Sequence, residues 1–213
     1  MTPKGLLAGL GNPGDEYRET RHNYGFFLID HILELAASRK SMRLAPVQES
    51  GDALVWSANL GGAPWLLVKP LTYMNKSGLV VGRYARRHGL EPGSVVVAHD
   101  ELDLPLGRMK LKRGGSSAGH NGVESIIAEL GAPDFWRLRL GIGRPQVRRD
   151  MADWVLEAFS AEERETTRAV LPAAWKGLDL FLRRGEAPAV QFLNGFSAEE
   201  KPEKTAMDSV CEP

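Results

Sequence analysis

The sequence predicts a single α/β domain with a mixed, largely parallel twisted sheet that carries helices on both faces. Three observations lead to this fold class. Short apolar runs alternate with segments of helical periodicity along most of the chain. No internal repeat and no long linker divides the sequence into two cores. The 213 residues, 43% of them hydrophobic and 25% charged, can bury a core without the help of disulfides or metals.

The first half of the chain alternates between the two kinds of element. An apolar run that ends in glycines predicts a strand over Lys4–Leu10. Apolar residues at helical spacing predict an amphipathic helix over residues 24–35. Two strand-like runs, Leu54–Leu60 and Pro64–Val68, are separated by two glycines and therefore predict a hairpin. A helix is expected over Lys76–His88, with a glycine as its stop signal.

The second half continues the alternation. A β-branched run predicts a central strand over Val95–Ala98. Basic residues alternate with apolar ones over residues 108–112, which predicts a strand with one charged face. A helix over Val123–Leu130 and a strand over Trp136–Ile142 are expected to follow.

The last helical region begins at a capping-box pattern that starts at Ser160 and is expected to extend towards Gly185. Pro172 lies inside this stretch and predicts a kink or a break. A last short helix is expected around residues 190–193. The domain is therefore expected to span residues 1–196, followed by an acidic, flexible tail over residues 197–213.

Composition narrows the classes of protein that fit. Cys211 is the only cysteine, which excludes an intrachain disulfide and a multi-cysteine metal site and fits a reducing, cytosolic compartment. The apolar opening run Leu6–Leu10 is too short for a signal sequence or a membrane span, so we expect no membrane partner. The chain is neutral overall, but residues 76–149 hold 13 Lys and Arg against 7 Asp and Glu. Such a segment could bind a polyanion, although charge alone favours solvated surface faces.

Two glycine motifs suggest chemistries that their surroundings do not support. Gly9–Gly14 matches the dinucleotide-binding pattern G-x-G-x-x-G, but a proline removes one amide donor, two acids follow, and the helical periodicity begins only near Tyr24. Gly115–Gly119 matches the nucleophile elbow G-x-S-x-G, but Ser117 has no later acid and histidine in the order that hydrolases of that fold use. We predict neither a nucleotide site nor a serine nucleophile.

A third motif, Asp100-Glu-Leu-Asp103, suits a hard cation at the end of a strand. Few further ligands lie nearby in the sequence, and the strand that follows is basic. We therefore predict no bound metal.

Four polar segments, each at a predicted loop or strand end, fit together under one interpretation. They are Thr20-Arg-His-Asn-Tyr-Gly25, Thr72-Tyr-Met-Asn-Lys-Ser-Gly78, Val97-Ala-His-Asp-Glu-Leu-Asp-Leu-Pro105 and Gly114-Gly-Ser-Ser-Ala-Gly-His-Asn-Gly122. With Gly9–Gly14 and Leu138–Gly143, these segments closely resemble the bacterial peptidyl-tRNA hydrolase family, in order and at the expected spacing from about Leu6 to Phe196. The resemblance implies hydrolysis of the ester that links an N-blocked aminoacyl or peptidyl group to the 3′ end of tRNA, without a cofactor.

The resemblance also implies roles for individual residues. His22 would be the general base that activates a water, and Asp100 would hold its imidazole in the basic form. Asn12 would complete the catalytic group and distinguish blocked from free aminoacyl-tRNA. The residues that would bind the substrate and the tRNA 3′ end are Tyr17, Tyr73, Asn75 and Asn121.

The basic strand adds a phosphate contact to this site. Lys110 and Lys112 would project from one face of their strand, beside the helix start at His120, and Arg139 would belong to the same surface. The expected partner is thus the acceptor end of peptidyl-tRNA, bound by a cytosolic monomer. Two alternatives stay open: a non-catalytic RNA-binding relative, and a nucleotide-dependent oxidoreductase that uses Gly9–Gly14.

Overall fold

The structure, a computed structural model, describes residues 2–145 and 150–198. Its centre is a seven-stranded sheet in the order β2-β3-β4-β1-β5-β7-β6. The strands are β1 (Gly5–Gly9), β2 (Ala45–Ser50), β3 (Ala53–Leu60), β4 (Ala63–Pro70), β5 (Val95–Glu101), β6 (Met109–Arg113) and β7 (Trp136–Gly141). Strands β4, β1, β5 and β7 are parallel to one another, and the remaining three pair antiparallel at the two edges. The sheet is therefore mixed with a parallel centre, as the sequence predicts.

Six α-helices cover the sheet within the described residues. They are α1 (Tyr24–Ser38), α2 (Ser77–Arg87), α3 (Asn121–Leu130), α4 (Met151–Leu156), α5 (Ala161–Arg184) and α6 (Glu186–Gly195). Side chains alternate across each strand, so Leu7 of β1 packs in the core with α1, α5 and α6, whereas Leu6 and Ala8 pack in the core with α2 and α3. Burial on both faces explains why the central strands are continuous apolar runs.

The elements that the sequence predicts are present, and two short ones are additional. The hairpin, the four other predicted strands and the helices occur near their predicted positions, with β5 extended to Glu101. The additional elements are β2, an edge strand, and α4, a helix of only six residues. Neither gives a clear apolar pattern, because β2 is half polar and contains Pro46, and α4 has too few residues to show helical periodicity.

The sequence predicts a kink or a break at Pro172, and the break does not occur, because α5 is a single helix over 24 residues. Proline removes one backbone donor, which disfavours a helix interior. Val170 before the proline and Ala174, Trp175 and Leu178 after it are all buried in the same core. Packing on both sides of the proline thus holds the helix together.

The end of the described chain still contacts the domain. Ser197 forms a bridge with Arg108, and the Ala198 amide donates to the Gly107 carbonyl oxygen at 3.0 Å. The rest of the predicted tail, residues 199–213, and Cys211 with it, lies outside the described residues. Across residues 2–145 and 150–198, none of the helices combines the length and apolar character needed to cross a bilayer.

Candidate active site

A pocket of about 380 Å³ opens at the edge of the sheet where the parallel strands end. Side chains from different loops meet at such an edge, because all carboxyl ends of parallel strands point the same way. Seven residues that the sequence singles out line this pocket: Asn12, His22, Tyr73, Asn75, Asp100, His120 and Asn121. They come from the segment after β1, the end of β5 and the turns that precede α1, α2 and α3.

Two glycines bring the turn that carries His22 onto the end of β5. A Cβ atom on Gly9 would lie 2.2 Å from the Gly25 carbonyl oxygen, and one on Gly25 would lie 2.3 Å from the Ala98 carbonyl oxygen. Side chains at these positions would push α1 away from β1 and β5. The glycine at the start of the Gly9–Gly14 motif thus serves close backbone packing in this fold.

The His22 and Asp100 side chains form a buried pair. His22 lies in a 3₁₀ turn, Arg21–Asn23, and its Nδ1 is 2.9 Å from Oδ1 of Asp100. Only 11% of the His22 side chain and 2% of the Asp100 side chain are exposed. Burial lowers the pKa of His22, but the charge of Asp100 and the hydrogen bond to it outweigh burial, so the pKa is raised above 6.5.

The contact with Asp100 also fixes the tautomer of His22. An ionised carboxylate can only accept, so Nδ1 must carry the proton that it donates to Asp100. In the neutral ring, Nε2 then has a free lone pair, in a side chain that lines the pocket. This is the arrangement of a general base with an orienting acid.

A second histidine binds the same carboxylate oxygen. Nε2 of His120 lies 3.1 Å from Oδ1 of Asp100. Its Nδ1 accepts from the backbone amides of Gly122 and Val123 and so caps the N-terminus of α3. Because Nδ1 accepts, Nε2 must be the protonated nitrogen, and it donates to Asp100. Its ring nitrogens are therefore both occupied, unlike Nε2 of His22.

Asp100 is held as an anion in this setting. Burial disfavours its charge, but His22 and His120 both interact with the carboxylate and hold its pKa well below the ordinary value. The preceding residue, His99, is also buried, with Nδ1 2.7 Å from the Asp100 carbonyl oxygen. Burial and the nearby His120 lower the pKa of His99 to about 3, so His99 adds no charge near pH 7.

The side chains of His22, Asp100 and His120 are close enough together to be candidate ligands of one metal ion. Their potential ligand atoms lie within 4.8 Å of one another. Among residues 2–145 and 150–198, no other group of three such side chains is this close. The nitrogens that face Asp100 are both donors, however, and a metal would require both to lose their protons. The donor set favours a hydrogen-bonded acid with two imidazoles over a metal centre.

Asn12 is fixed by hydrogen bonds at three of its polar groups. Its backbone amide donates to Oδ1 of Asn23 at 2.7 Å, and its carbonyl oxygen accepts from Nδ2 of Asn23 at 3.0 Å. Its side-chain Oδ1 accepts from the backbone amide of Met74 at 2.7 Å. Since that contact needs an oxygen, the remaining group, the Nδ2 amide donor, is the one available to a ligand in the pocket.

The rest of the pocket has a polar side and an apolar side. Tyr73, Asn75 and Asn121 line the polar side and are exposed, with Tyr73 59% exposed. The apolar side consists of one residue after β5 and four from α4: Leu102, Met151, Ala152, Val155 and Leu156. This apolar wall, which we name the α4 wall, is not anticipated by the sequence analysis.

Four basic residues lie opposite one another on β6 and β7. Lys110 pairs in register with Arg139, and Lys112 pairs with Arg137. The two lysines are exposed, whereas Arg139 binds Glu101 through Nε at 2.6 Å and Arg137 binds the carbonyl oxygens of the loop over residues 115–116. Lys112, Arg137 and Arg139 also line a smaller cavity of about 80 Å³. We name Lys110 and Lys112 the lysine pair.

Not all the predicted residues lie together. The pocket lining includes neither Tyr17, which is half-buried in a 3₁₀ turn, nor the lysine pair, nor Arg139. His120, predicted beside the phosphate contact, instead binds Asp100.

The residues set aside on sequence grounds have other contacts. Asp103 forms an exposed ion pair with Arg144. The Ser117 hydroxyl accepts from the Gly119 amide at 3.4 Å. Both residues also line the pocket, but neither of these contacts is with His22.

Comparisons with known proteins agree with the geometry. A family model described as peptidyl-tRNA hydrolase matches residues 6–203. The peptidyl-tRNA hydrolase of Maridesulfovibrio salexigens is 49% identical over 196 residues, which cover 92% of this chain and 96% of that protein. That of Nitratidesulfovibrio vulgaris strain DP4 is 47% identical over 199 residues, which cover 92% of this chain and 99% of that protein.

A solved structure extends the likeness to three dimensions. The crystal structure of peptidyl-tRNA hydrolase from Acinetobacter baumannii has a TM-score of 0.82 and 32% identity, and the match covers 93% of this chain and 98% of that one. Since the family model spans most of the sequence and relatives near half identity cover over nine-tenths of it, the chain belongs to the peptidyl-tRNA hydrolase family.

Proposed function

We propose that His22 is the general base with which this chain hydrolyses the ester bond of peptidyl-tRNA. Membership of the family makes the chain an enzyme for this reaction and sets aside the oxidoreductase alternative. The observation that carries the assignment of the base is the 2.9 Å contact between Nδ1 of His22 and Asp100, which leaves Nε2 free in a pocket-lining side chain.

The proposed reaction needs no covalent enzyme intermediate. Nε2 of His22 removes a proton from a water molecule as the water oxygen attacks the ester carbonyl carbon. The imidazolium that forms is stabilised by Asp100, which already accepts a hydrogen bond from Nδ1. As the bond to the ribose oxygen breaks, the imidazolium returns its proton to that oxygen. Free peptide and tRNA leave, and the histidine is neutral again.

Asn12 is proposed to select substrates whose α-nitrogen is acylated. Its available group is the Nδ2 donor, because Oδ1 is occupied by the Met74 amide. A donor can pair with the carbonyl oxygen of an N-acyl group. It cannot pair with a free α-ammonium, which is also a donor and would lose its hydration without compensation.

The remaining predicted residues are proposed to hold the two ends of the substrate. Tyr73, Asn75 and Asn121 surround the polar mouth of the pocket, where a terminal nucleotide could stack on the exposed tyrosine ring. Tyr17 is proposed to contact the same nucleotides from outside the pocket. The α4 wall offers apolar surface to the acyl group.

The lysine pair is proposed to bind a tRNA phosphate. Both ammonium groups are exposed on one face of an edge strand. Arg139 already forms an ion pair with the buried Glu101, so its positive charge is shared between Glu101 and any bound phosphate. His120 is proposed to act through Asp100 and, by capping α3, to position Asn121. Action as a cytosolic monomer stays a prediction from the sequence.

The test is hydrolysis of N-acetyl-aminoacyl-tRNA by the purified protein, with unacetylated aminoacyl-tRNA as the control. We expect rapid release of tRNA from the acetylated substrate and slow release from the control, and an Asn12→Ala variant should narrow this difference. Binding of tRNA without turnover would instead support the non-catalytic RNA-binding alternative.

A further inference from the structure

Arg21, the residue before His22, is buried although it carries a charge. Its side chain is 5% exposed. Nη2 binds both carboxylate oxygens of Glu163, at 3.0 and 2.8 Å, and Nη1 lies 3.3 and 3.2 Å from the carbonyl oxygens of Glu157 and Ala158. Removal of a buried charge with this number of partners is costly, because the partners are then left unpaired.

The guanidinium also stacks on the helix that forms the α4 wall. Its central carbon lies 3.6 Å from the ring centroid of Trp154 in α4. Trp154 in turn donates from Nε1 to the Gly143 carbonyl oxygen at 2.9 Å, beyond the end of β7. Neighbouring residues of the same helix, Ala152 and Val155 among them, line the pocket. One side chain therefore joins the turn that holds the base to the helix that forms the apolar side of the pocket.

Backbone contacts strengthen the same junction. The Arg21 amide donates to the Glu157 carbonyl oxygen at 3.0 Å, and Thr20 forms a bridge with Ala158. Glu163 also accepts from the Ser160 amide in the capping box of α5. The guanidinium thus contacts α4, the segment after it and the first turn of α5.

We propose that Arg21 is a positioning residue that holds the α4 wall at its distance from His22 and so determines how well the enzyme binds apolar acyl groups. The proposal rests on the proposed function, since it assumes that the acyl group of the substrate occupies the pocket between His22 and the α4 wall. Arg21 itself lines neither of the two cavities described above and touches no reacting atom.

The planar fork of arginine suits this position in a way that lysine does not. Nη2 contacts both Glu163 oxygens, Nη1 contacts two carbonyl oxygens, and the flat face of the guanidinium stacks on Trp154, so two separate nitrogens and the planar face are engaged at once. A lysine keeps the charge but offers a single nitrogen without a flat face. Arg21→Lys therefore preserves the positive charge but removes the stacked planar group and the second contacting nitrogen.

The experiment compares two substrates that share one tRNA and differ in the acyl group, N-acetylglycyl and N-acetylleucyl. KM and kcat are measured for the wild type, Arg21→Lys and the control Arg164→Lys. Arg164 binds Glu19 and the Phe159 carbonyl oxygen, neither of which belongs to α4. For Arg21→Lys we expect KM to rise about tenfold on the leucyl substrate and less than threefold on the glycyl one, with kcat nearly unchanged.

The outcomes separate this inference from the proposed function. Wild-type protein that hydrolyses neither substrate would contradict the function itself. Wild-type turnover with equal changes on both substrates, or with loss confined to kcat, would leave the function intact and overturn the role of Arg21. A smaller folded fraction lowers kcat for both substrates alike and cannot produce a selective change in KM. If Arg21→Lys does not fold, KM and kcat of Trp154→Leu are measured on the same two substrates. This variant removes the aromatic ring on which Arg21 stacks, so the same selective rise in KM on the leucyl substrate is expected.

Discussion

The pocket and the β6–β7 face that carries the lysine pair are built in opposite ways. Around His22, hydrogen bonds occupy both imidazole nitrogens of His120, the nearer oxygen of Asp100 and most polar groups of Asn12. On the β6–β7 face, both residues of the lysine pair are exposed. Buried groups hold one geometry and shift one another's pKa values, whereas exposed charges are mobile and screened by salt.

This difference separates two tasks that the enzyme must perform. Proton transfer needs a histidine at a fixed distance and with a tuned pKa, which the buried cluster supplies. Recognition of a polyanion needs charge that adapts to a flexible phosphate chain, and under the proposed function the exposed lysine pair supplies it. Substitutions in the pocket should therefore change the rate and its pH dependence, and substitutions in the lysine pair should change affinity and its salt dependence.

The largest expected effect is that of His22→Ala. Loss of the base should lower kcat by about 10²–10⁴, while affinity for tRNA stays within a few-fold, because the proposed phosphate contacts lie elsewhere. Single-turnover hydrolysis and filter binding would measure the two quantities. His31→Ala is the matched control, since His31 lies on α1 outside the pocket lining and should leave turnover unchanged. Near-normal turnover of His22→Ala would contradict the assignment of the base.

Asp100→Asn should reduce kcat less than His22→Ala does, and it should also change the pH dependence of the rate. Because Asp100 raises the pKa of His22, the acidic limb of the wild-type pH–rate profile should have its midpoint above pH 6.5. Asparagine keeps an acceptor oxygen but removes the charge, so burial then lowers the pKa of His22. The acidic limb should move to lower pH by about one unit or more. An unchanged profile would indicate that Asp100 has only a structural role.

Substitution of His120 should move the acidic limb of the pH–rate profile to higher pH. The shift should be smaller than the one caused by Asp100→Asn. Without the second donor, the charge of Asp100 acts more fully on His22 and raises its pKa further. His120→Asn keeps an acceptor that can cap α3, whereas His120→Ala removes the cap and should also cost about 1 kcal/mol of stability. A shift towards lower pH in both variants would refute the shared-carboxylate interpretation.

The sequence predicts the parts of the molecule that depend on local pattern. Apolar runs predict the parallel central strands, since strands buried on both faces need no polar alternation. His22 and Asp100 were identified by resemblance, and their meeting depends on Gly9 and Gly25, which let α1 approach β1 and β5. The continuity of α5 through Pro172 is a consequence of core packing and has no local signal.

The parts that the sequence does not predict depend on tertiary contacts. His120 reaches Asp100 across 20 residues. The intervening loop takes its position from Arg137, which binds the carbonyl oxygens of Gly115 and Ser116. The α4 wall belongs to a helix of six residues, too short for periodicity to reveal, and this helix contacts the rest of the domain through the stacking of Trp154 on Arg21 and the Trp154 hydrogen bond to Gly143.

The smallest effect on chemistry is expected from replacing both residues of the lysine pair, Lys110 and Lys112, by alanine. Neither side chain lines the pocket, so kcat at saturating substrate should be preserved. Affinity for tRNA should fall, and its salt slope should decrease by about one unit per lost phosphate contact. A minimal substrate with only the 3′ nucleotide and an N-blocked amino acid should be hydrolysed as by the wild type.

The control for this prediction is Lys4→Ala combined with Lys40→Ala, which changes the net charge equally at exposed positions before β1 and after α1. The chain is neutral overall, so binding should depend on the local lysine pair and not on net charge. Turnover on the full and the minimal substrate would be measured side by side across a salt series. Equal losses on both substrates would place the lysine pair in the catalytic pocket or in fold stability. If the control lost as much affinity for tRNA as the lysine-pair variant, net charge and not position would govern tRNA binding. Either result would remove the contrast between the pocket and the β6–β7 face.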